Sequence, residues 1–313
     1  MAYLSHLNAH LAEGGGRLPR EVRAEQVDYL RAVQRADGGF AGRDGDSDLY
    51  YTGFGLRALA LLGMLDRDVA EPAARFLQQR LAHQTEGMEV VDAVSLIQAA
   101  GLLQRVAGVD VWSGCNPGWN RQVARHFERL RRADGGYARS PEGAASSTYQ
   151  TFLIAATVPL LGQSLVDPQR LVRFALSQRR ADGGFVEIRP MTRSGTNPTA
   201  AAIGLLRMAG GLDGQVGRAT AEFLCRMQTG QGGVKANTRI AEADLLSTFA
   251  AVWTLVDMHE LHRIDRGAAQ RFVHSLMLPG GGFRGAAWDL DCDVEYTFYG
   301  LATWALLVDR MDP

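Results

Sequence analysis

A Gly-Gly pair that recurs at a nearly constant spacing is the feature that most constrains the fold of this chain. The separations between successive second glycines are 97, 48, 49 and 49 residues. Those second glycines are Gly39, Gly136, Gly184, Gly233 and Gly282. The first separation is about twice the others, which indicates that one repeat between them has lost its Gly-Gly pair. Gly87 stands at the position expected for the turn of that degenerate repeat. Because a fixed period of this length is typical of repeat architectures, the sequence predicts six repeats of about 48 residues.

Each repeat has the same internal order of segments. An amphipathic segment such as "DPQRLVRFALSQRR" leads into the Gly-Gly turn, and a mostly apolar segment such as "NPTAAAIGLLRMAG" follows it. A helix with one apolar stripe faces water on its other side, whereas a helix that is apolar all round is buried. Glycine permits the backbone geometry of a sharp helix reversal. No segment alternates with a period of two, so no strands are expected.

The last repeat indicates how the array ends. It carries "DVEYTFYGLATWALL", which is too rich in apolar and aromatic residues to be the polar cap that an open solenoid needs. We therefore expect a single all-α domain over residues 1–313, with about 12 helices closed into a double ring around a central cavity. The segment 108–122, with two tryptophans among Gly and Pro, is interpreted as a lid or packing clamp.

Composition excludes several classes of protein. The net charge is −1, from 33 basic and 34 acidic residues, so no global field attracts nucleic acid or an anionic membrane. No apolar run reaches the roughly 20 residues of a spanning helix. The three cysteines are far apart and odd in number, which favours a reducing compartment. The interpretation is a cytoplasmic protein with no nucleic-acid partner and no transmembrane segment.

The repeats resemble those of a known family. Six copies of a "DGGF"-like turn, each followed by a helix with Tyr-x-Thr/Ser-aromatic, are similar to the β subunits of protein prenyltransferases and to the terpene cyclases that share the α/α toroid. The last repeat looks closest to the Rab geranylgeranyltransferase β subunit. The resemblance covers residues 20–308, approximately. It implies an α/α toroid, an isoprenoid substrate and, as an option, a helical α-subunit-like partner.

The zinc site that the resemblance implies is incomplete. The family binds zinc with an Asp and a Cys two residues apart at the fifth apolar helix, and with a His at the sixth. Asp244 matches the aspartate, but Leu246 and Tyr296 stand at the Cys and His positions. Zinc requires nitrogen, thiolate or carboxylate donors. We therefore expect no zinc cofactor, with a replacement set of Asp244, Cys292 and Asp293 as an alternative, and Mg²⁺ only with a diphosphate substrate.

Four acidic residues crowd the start of the sixth apolar helix. Asp289, Asp291, Asp293 and Glu295 lie within seven positions. Asp291 and Asp293 can cap the helix, which leaves Asp289 and Glu295 for a functional role. In class II cyclases the acid is the middle residue of D-x-D-D-T, and "DVEYT" resembles it with Glu295 at the acid position. An apolar cavity favours a protonated acid, whereas the helix N-terminus opposes it.

The candidate catalytic residues are therefore these acids, the residue next to Glu295 and the matched zinc aspartate. They are Glu295, Asp293, Asp291, Asp289, Asp244 and Tyr296.

Four cations in the fourth and fifth loops form a candidate diphosphate site. Arg189 and Arg193 precede one apolar helix, and Lys235 and Arg239 precede the next. The family binds its prenyl diphosphate with basic residues of these two loops, and helix N-termini attract anions. Lys235 is the only lysine of the chain. A compact ammonium is a good point charge for a phosphate.

Aromatic residues of the apolar helices are the candidates for lining the cavity. An apolar hollow of this kind binds apolar ligands, although the same rings can also fill the core. The candidates are Tyr51, Phe54, Tyr149, Phe249, Trp253, Phe298 and Tyr299. His6 and His10, spaced i and i+4, are interpreted as exposed residues of a terminal helix rather than a metal pair.

These observations lead to one expected function and two alternatives. We expect an isoprenoid-acting enzyme of the prenyltransferase-β-like type that binds a prenyl diphosphate without zinc. The first alternative is an acid-initiated class II-like terpene cyclase that uses Glu295 and Asp293. The second is a non-catalytic toroid that binds an isoprenoid or a partner protein.

Overall fold

The computed structural model describes residues 3–83, 88–113, 115 and 117–308. The turn predicted at Gly87 lies outside the described residues. Within them the regular secondary structure is almost entirely α-helical. The thirteen α-helices of the described residues are α1 (Tyr3–Gly15), α2 (Arg20–Ala32), α3 (Leu49–Leu61), α4 (Arg67–His83), α5 (Val90–Val106), α6 (Trp119–Arg129), α7 (Thr148–Thr157), α8 (Pro168–Ser177), α9 (Thr196–Met208), α10 (Gly214–Arg226), α11 (Leu245–Asp257), α12 (Arg266–Ser275) and α13 (Val294–Leu307).

The predicted alternation of amphipathic and apolar helices is confirmed. From α3 onward, the odd-numbered helices are buried along most of their length, and the even-numbered helices bury one face. In α8, for example, Leu171, Phe174 and Ala175 are buried, whereas most other positions are at least partly exposed. The apolar stripe thus decides which face each helix buries.

The chain divides into two compact units. Unit 1 comprises Met1–Leu7 and Gly118–Phe272, and unit 2 comprises Asn8–Pro117 and Val273–Pro313. In unit 1 the apolar helix α9 packs against both α7 and α11. In unit 2 α3 packs against both α5 and α13. Within unit 2, the last apolar helix of the chain therefore lies beside the first.

A buried threonine fastens each described Gly-Gly turn to the apolar helix that follows it. The residue after the second glycine donates its backbone N–H to the threonine hydroxyl, over 2.9 to 3.1 Å. The donor and threonine pairs are Phe40 and Thr52, Tyr137 and Thr151, Phe185 and Thr199, Val234 and Thr248, and Phe283 and Thr297. This contact satisfies a buried N–H and explains why the threonine recurs in every one of these repeats.

The expectation of no strands was wrong at a small scale. The strands β1 (Phe283–Arg284) and β2 (Cys292–Asp293) pair antiparallel, with Phe283 opposite Asp293. Single bridges occupy the equivalent place in other repeats, such as the one between Phe185 and Gly195. Each turn returns the chain beside the residue that precedes the apolar helix. Pairing over one or two residues leaves no period-two pattern for the sequence to display.

The two glycines of a turn have different tasks. Gly183 has φ of 88°, in the left-handed region that side chains rarely adopt. At Gly184 a Cβ would lie 2.6 Å from Ser194 and 2.8 Å from the ring of Phe223. The first glycine therefore supplies the backbone conformation, and the second allows an outer aromatic ring to pack closely.

The segment 108–122 packs against the protein at both of its ends. In unit 2 Val111 is buried, and Gln78 of α4 donates to the carbonyl oxygen of Asp110 over 3.3 Å. In unit 1 Trp119 is buried at the start of α6. Residues 114 and 116 lie outside the described residues. The role of this segment as a lid or packing clamp stays a prediction. Across the part of the chain that the structure describes, no helix is both long and apolar enough to cross a membrane.

Candidate active site

The acidic cluster of unit 2 begins with the residue that caps α13. Asp293 accepts a hydrogen bond from the backbone N–H of Tyr296 over 2.8 Å, the usual contact of an N-cap. The prediction that Asp293 caps the helix is confirmed. The same prediction for Asp291 was wrong, since Asp291 is exposed and its own N–H donates to Asp289. Only the residue directly before the helix can reach its free N–H groups.

A guanidinium group neutralises part of the cluster. Arg43 donates to both carboxylate oxygens of Asp289, over 2.8 and 2.5 Å, and its Nε lies 3.2 Å from Asp293. Burial acts to raise the pKa of Asp289, but the hydrogen bonds from Arg43 and from two backbone N–H groups outweigh it and lower that pKa. Asp289 is therefore held as a carboxylate, paired in the bidentate geometry that arginine favours.

Glu295 is in a different state from Asp289. The hydroxyl of Tyr50 donates to Oε1 of Glu295 over 2.6 Å. Burial, the largest influence, raises the pKa of Glu295, and the charge of Asp293 adds to the increase. The Tyr50 hydrogen bond acts against it but is too weak to reverse it. Although Glu295 lies in the first turn of α13, burial thus prevails over the field of the helix terminus.

Burial also raises the pKa of Asp293. The N–H of Tyr296 and the guanidinium of Arg43 oppose this increase. Asp293 therefore differs from Glu295 in that a guanidinium group is bonded directly to it, whereas Arg43 and Arg57 act on Glu295 only through their charge. Tyr296 itself is half-buried, with the Arg43 guanidinium carbon 5.8 Å from the centre of its ring.

Tyr50, the hydrogen-bond partner of Glu295, belongs to a cluster of aromatic rings on the helices α3 and α13. The ring of Phe54 lies 4.9 Å from that of Tyr50, 5.6 Å from Phe298 and 5.2 Å from Tyr299, between centroids. The guanidinium carbon of Arg57 is 4.2 Å from the centroid of Phe54. This cluster, Tyr50, Phe54, Phe298 and Tyr299, already stabilises one cation on a ring face.

The predicted cavity-lining residues of unit 2 differ in exposure. Phe54 and Phe298 are 3% and 2% exposed, and Tyr299 is also buried. Tyr51 is half-buried and packs against Gly42. Three of these four rings therefore pack mainly against protein, and a cavity-lining role for them stays a prediction.

The four predicted cations lie on two loops of unit 1 that are bonded to each other. Gly195 pairs with Asn237, and the N–H of Thr196 donates to Ala236 over 2.8 Å. Arg193 donates to the hydroxyl of Thr238 over 2.6 Å. The sequence thus correctly placed these loops next to each other.

Three of the four head groups are available to a ligand. Arg189 and Arg239 are exposed, and Lys235 is half-buried. Within the described ranges, no hydrogen-bond or ion-pair partner reaches these three side chains. Cations that no carboxylate neutralises keep their attraction for an anion.

Asp244, in unit 1, has a structural role as a helix cap. As the N-cap of α11 it accepts from the N–H of Ser247 over 2.7 Å, and its second oxygen accepts from the Ser247 hydroxyl over 2.8 Å. Burial raises the pKa of Asp244, and the bonds from Ser247 oppose the increase. Both carboxyl oxygens are therefore already engaged.

The remaining predicted lining residues belong to unit 1 and lie in unlike places. Trp253 is 4% exposed, and its indole N–H donates to the hydroxyl of Tyr3 over 2.7 Å. Phe249 is half-buried. Tyr149 is exposed, and its N–H faces the carboxylate of Glu187. A cavity-lining role for these three residues stays a prediction.

The residues present do not fit a zinc ion. Leu246 offers no donor atom where the family has a thiolate. Among the described residues, no three His, Cys, Asp or Glu side chains come together in a group that could bind a metal. The alternative set of Asp244, Cys292 and Asp293 is accordingly not such a group.

The expectation for the two histidines of α1 needs correction. His6 and His10 are half-buried rather than exposed. In unit 1 the Nδ1 atom of His6 lies 3.6 Å from the carboxylate of Asp257. A periodicity of i and i+4 shows that two residues share a helix face but not what that face contacts.

Arg43 and Tyr50 are the functional candidates that the sequence did not identify. Arg43 lies 246 positions from Asp289 and Tyr50 lies 245 positions from Glu295. One signal was present. Arg43 follows Gly39 within the first turn, and the resemblance assigns basic residues of such turns to ligand binding.

Comparison with known proteins agrees with this architecture. The family model of the prenyltransferase alpha-alpha toroid domain matches residues 3–187 and 199–312. Candida albicans protein geranylgeranyltransferase-I, solved with GGPP, is similar over 96% of this chain and 90% of its own, with 14% identity and a TM-score of 0.67. The type II terpene cyclase MstE from Scytonema is similar over 91% and 96%, with 14% identity and a TM-score of 0.63.

The same fold also occurs in an enzyme that acts on a polysaccharide. The GH76A alpha-1,6-mannanase from Salegentibacter is similar over 96% of this chain and 98% of its own, with 9% identity and a TM-score of 0.61. Among curated proteins, none matches the chain in sequence. At these identities the likeness establishes the predicted α/α toroid fold, and the chemistry must be argued from the site.

Proposed function

Because this chain belongs to the family with the prenyltransferase alpha-alpha toroid domain, we propose that it is an enzyme that acts on an isoprenoid and begins the reaction by protonating it at Glu295. The single observation that carries the proposal is the half-buried carboxyl of Glu295, with its raised pKa and its hydrogen bond from Tyr50. The likeness to a type II terpene cyclase supports it.

The first step is a proton transfer to a carbon–carbon double bond. The O–H bond of the Glu295 carboxyl breaks, the π electron pair forms a new C–H bond, and a carbocation remains on the neighbouring carbon. The Glu295 carboxylate that results accepts the hydrogen bond of Tyr50. The rings of Tyr50 and Phe54, with centroids 4.9 Å apart on α3, would stabilise the positive charge through their π faces. No metal ion takes part in this step.

Arg43 assists the proton transfer without contacting Glu295 or the substrate. Its pairing with Asp289 and Asp293 favours their charged forms. The negative charge of Asp293 in turn raises the pKa of Glu295 and keeps its proton in place before the substrate arrives. Arg43 is therefore a positioning residue, since it acts through the two aspartates.

A second candidate function is transfer or ionisation of a prenyl diphosphate. The observation that favours it is the group of available cations in unit 1, Arg189, Lys235 and Arg239, beside Arg193. Ionisation would break the C–O bond and leave its electron pair on the diphosphate, whose charge these cations would offset. Mg²⁺ would bind with such a substrate rather than to the protein alone.

One incubation separates the two functions. The purified protein is supplied with geranyl diphosphate, geranylgeranyl diphosphate and squalene, and products are resolved by chromatography and mass spectrometry. Protonation predicts a cyclic isomer or its hydrate, with any diphosphate retained, and loss of product in Glu295→Gln. Released diphosphate with full activity in Glu295→Gln would overturn the first proposal and support the second. Binding with no turnover of any substrate would indicate the non-catalytic alternative.

A further inference from the structure

Unit 1 contains a cavity far from the loops that carry the cations. It has a volume of about 410 Å³ and lies where α7, α9 and α11 end, whereas the Gly-Gly turns precede the starts of these helices. Its lining includes Ala156 near the end of α7, Met208 at the end of α9 and Asp257 at the end of α11. A volume of roughly 300 to 1,000 Å³ is typical of pockets for small molecules.

The cavity has an apolar wall. Ala155, Ala156, Pro159, Leu165 and Met208 contribute to it, and none of these side chains is charged. Such a wall favours the apolar body of a ligand.

The opposite wall carries hydrogen-bond donors. Tyr3 lines the cavity, and its hydroxyl accepts the indole N–H of Trp253 over 2.7 Å. In the part of the chain that the structure describes, the proton of the Tyr3 hydroxyl has no acceptor. Burial, as the largest influence, raises the pKa of Tyr3, so this proton is retained. The Tyr3 hydroxyl can therefore donate a hydrogen bond to a ligand in the cavity.

Arg207 provides a second donor at the same cavity. Its Nε donates to Asp257 over 3.0 Å and its Nη2 to the carbonyl oxygen of Asp257 over 2.5 Å. No described residue accepts from its Nη1, and the side chain is 43% exposed. Asp257 is itself buried, with His6 on its other oxygen at 3.6 Å. The carboxylate is thus covered by Arg207 and His6 and presents little negative charge to a ligand.

The donors Tyr3 and Arg207 determine which chemical head group a ligand of this cavity needs. An acceptor oxygen can receive bonds from Tyr3 and from Arg207, and His259, which also lines the cavity, can donate through one ring nitrogen. An ammonium would instead face the Tyr3 donor and the positive charge of Arg207. The carbonyl ends of α9 and α11 carry partial negative charge, but Arg207 already bonds one of these carbonyls and adds a full positive charge. The balance therefore favours an oxygen acceptor over a cation.

We propose that this cavity is a second binding site, for a small amphipathic molecule that presents a carboxylate to Tyr3 and Arg207 and an apolar body to Leu165 and Met208. The site is independent of the proposed reaction, because it uses none of the residues assigned to that reaction. Occupancy would tie α1 to the ends of α9 and α11 through Tyr3.

The test uses octanoate as the probe and octylamine as a matched control with the same chain and a donor head group. The methionine methyl groups are labelled with ¹³C, and the full-length protein is titrated with each compound by NMR. Octanoate should shift the signal of Met208 in a saturable way and leave that of Met191, which does not line the cavity. Octylamine should shift neither.

Two adjacent substitutions provide the control for site specificity. Leu165→Trp fills the cavity, whereas Val166 is 54% exposed and Val166→Trp adds the same ring outside the lining. We expect Leu165→Trp to weaken octanoate binding at least tenfold and Val166→Trp to leave it unchanged. Tyr3→Phe should weaken binding severalfold without altering the helix content. Equal binding of both compounds, absence of a Met208 shift, or full binding by folded Leu165→Trp would overturn the proposal.

Discussion

At the start of α13, similar carboxyl groups differ in charge because their neighbours differ. Asp289 meets a guanidinium and backbone N–H groups, so its pKa falls. Glu295 loses hydration through burial and lies near the charge of Asp293, so its pKa rises although Tyr50 donates a hydrogen bond to it. These acids are evenly spaced along the sequence, so spacing does not distinguish their pKa values. The partners that do distinguish them, Arg43 and Tyr50, come from the loop and the helix of the first repeat. A general acid needs the environment of Glu295, not that of Asp289.

The pKa of Glu295 leads to a prediction about stability. Because this pKa is raised, the folded protein binds the proton more tightly than the unfolded chain does, and the stability contributed by this proton is lost as the pH rises through the raised pKa. Glu295→Gln is neutral and should therefore unfold at an equal or higher denaturant midpoint at pH 7. The advantage should vanish below the ordinary pKa of 4.5.

Denaturant unfolding at several pH values measures this difference. Glu142→Gln, at an exposed position, is the matched control and should show no gain at pH 7. A loss of stability in Glu295→Gln at pH 7 would contradict a raised pKa.

For Asp289 the dependence of stability on pH has the opposite sign to that for Glu295. Its lowered pKa means that the ionised side chain stabilises the folded state at neutral pH, and this stability is lost as the pH falls through the folded pKa. Asp289→Asn should cost about 1 to 3 kcal/mol of unfolding free energy at pH 7, since a charge-assisted bond to Arg43 is weakened. In a double-mutant cycle with Arg43→Met, the two losses should be less than additive. Additive losses would show that the pair does not interact.

At the scale of the element, each repeat depends on its turn being fastened to the following helix. The threonine hydroxyl accepts an N–H that no water can reach, so the contact costs more to remove than its net contribution to stability. It also explains part of the Tyr-x-Thr-aromatic pattern by local physics, independent of any ligand. The N-cap residues Asp48, Ser147, Asp244 and Asp293 add a second fastening at the same end of their helices.

Removal of one threonine hydroxyl tests this fastening. Thr248→Val leaves the N–H of Val234 without an acceptor and should lower the free energy of unfolding by about 1 to 3 kcal/mol. Thr248→Ser keeps a hydroxyl and should recover most of the loss. Thr192→Val, at an exposed position in the neighbouring loop, should be nearly neutral. Equal stability of Thr248→Val and the parent protein would refute this role.

Asp244 offers a test that separates capping from catalysis. Asp244→Asn retains an N-cap acceptor and should unfold within a few tenths of a kcal/mol of the parent, whereas Asp244→Ala should lose about 0.5 to 2 kcal/mol. Turnover of an isoprenoid should follow stability and stay near normal in Asp244→Asn. A large loss of turnover in a stable Asp244→Asn would return Asp244 to the catalytic set.

At the scale of the whole molecule, the charges are distributed unevenly although their sum is near zero. Available cations occupy the loops before α9 and α11, and paired acids occupy the loop before α13. A net charge of −1 conceals this distribution, which is why composition excluded nucleic acid and anionic membranes as partners but said nothing of a small anion at one place.

The cations predict binding of inorganic pyrophosphate with a strong dependence on salt. Lys235→Glu with Arg239→Glu should weaken binding at least tenfold, as measured by calorimetry at low ionic strength, because two attractions become repulsions. Arg125→Glu with Arg129→Glu changes the net charge equally on α6 and should have little effect. If both pairs weaken binding alike, the attraction is a property of net charge and not of a site.

The sequence by itself determined the alternation of amphipathic and apolar helices and the fold class, because period, apolar stripes and glycines are local properties that any stretch of the chain displays. It also identified the four acids, which cluster along one segment, and the four cations, which lie in equivalent loops of two successive repeats. Only the tertiary structure showed which acid forms an ion pair with Arg43 and which acid accepts the hydrogen bond of Tyr50. It also showed that Tyr3 borders a cavity of unit 1. Those facts depend on residues more than 200 positions apart, and the field, burial and hydrogen bonds that set a pKa exist only once such residues are in contact.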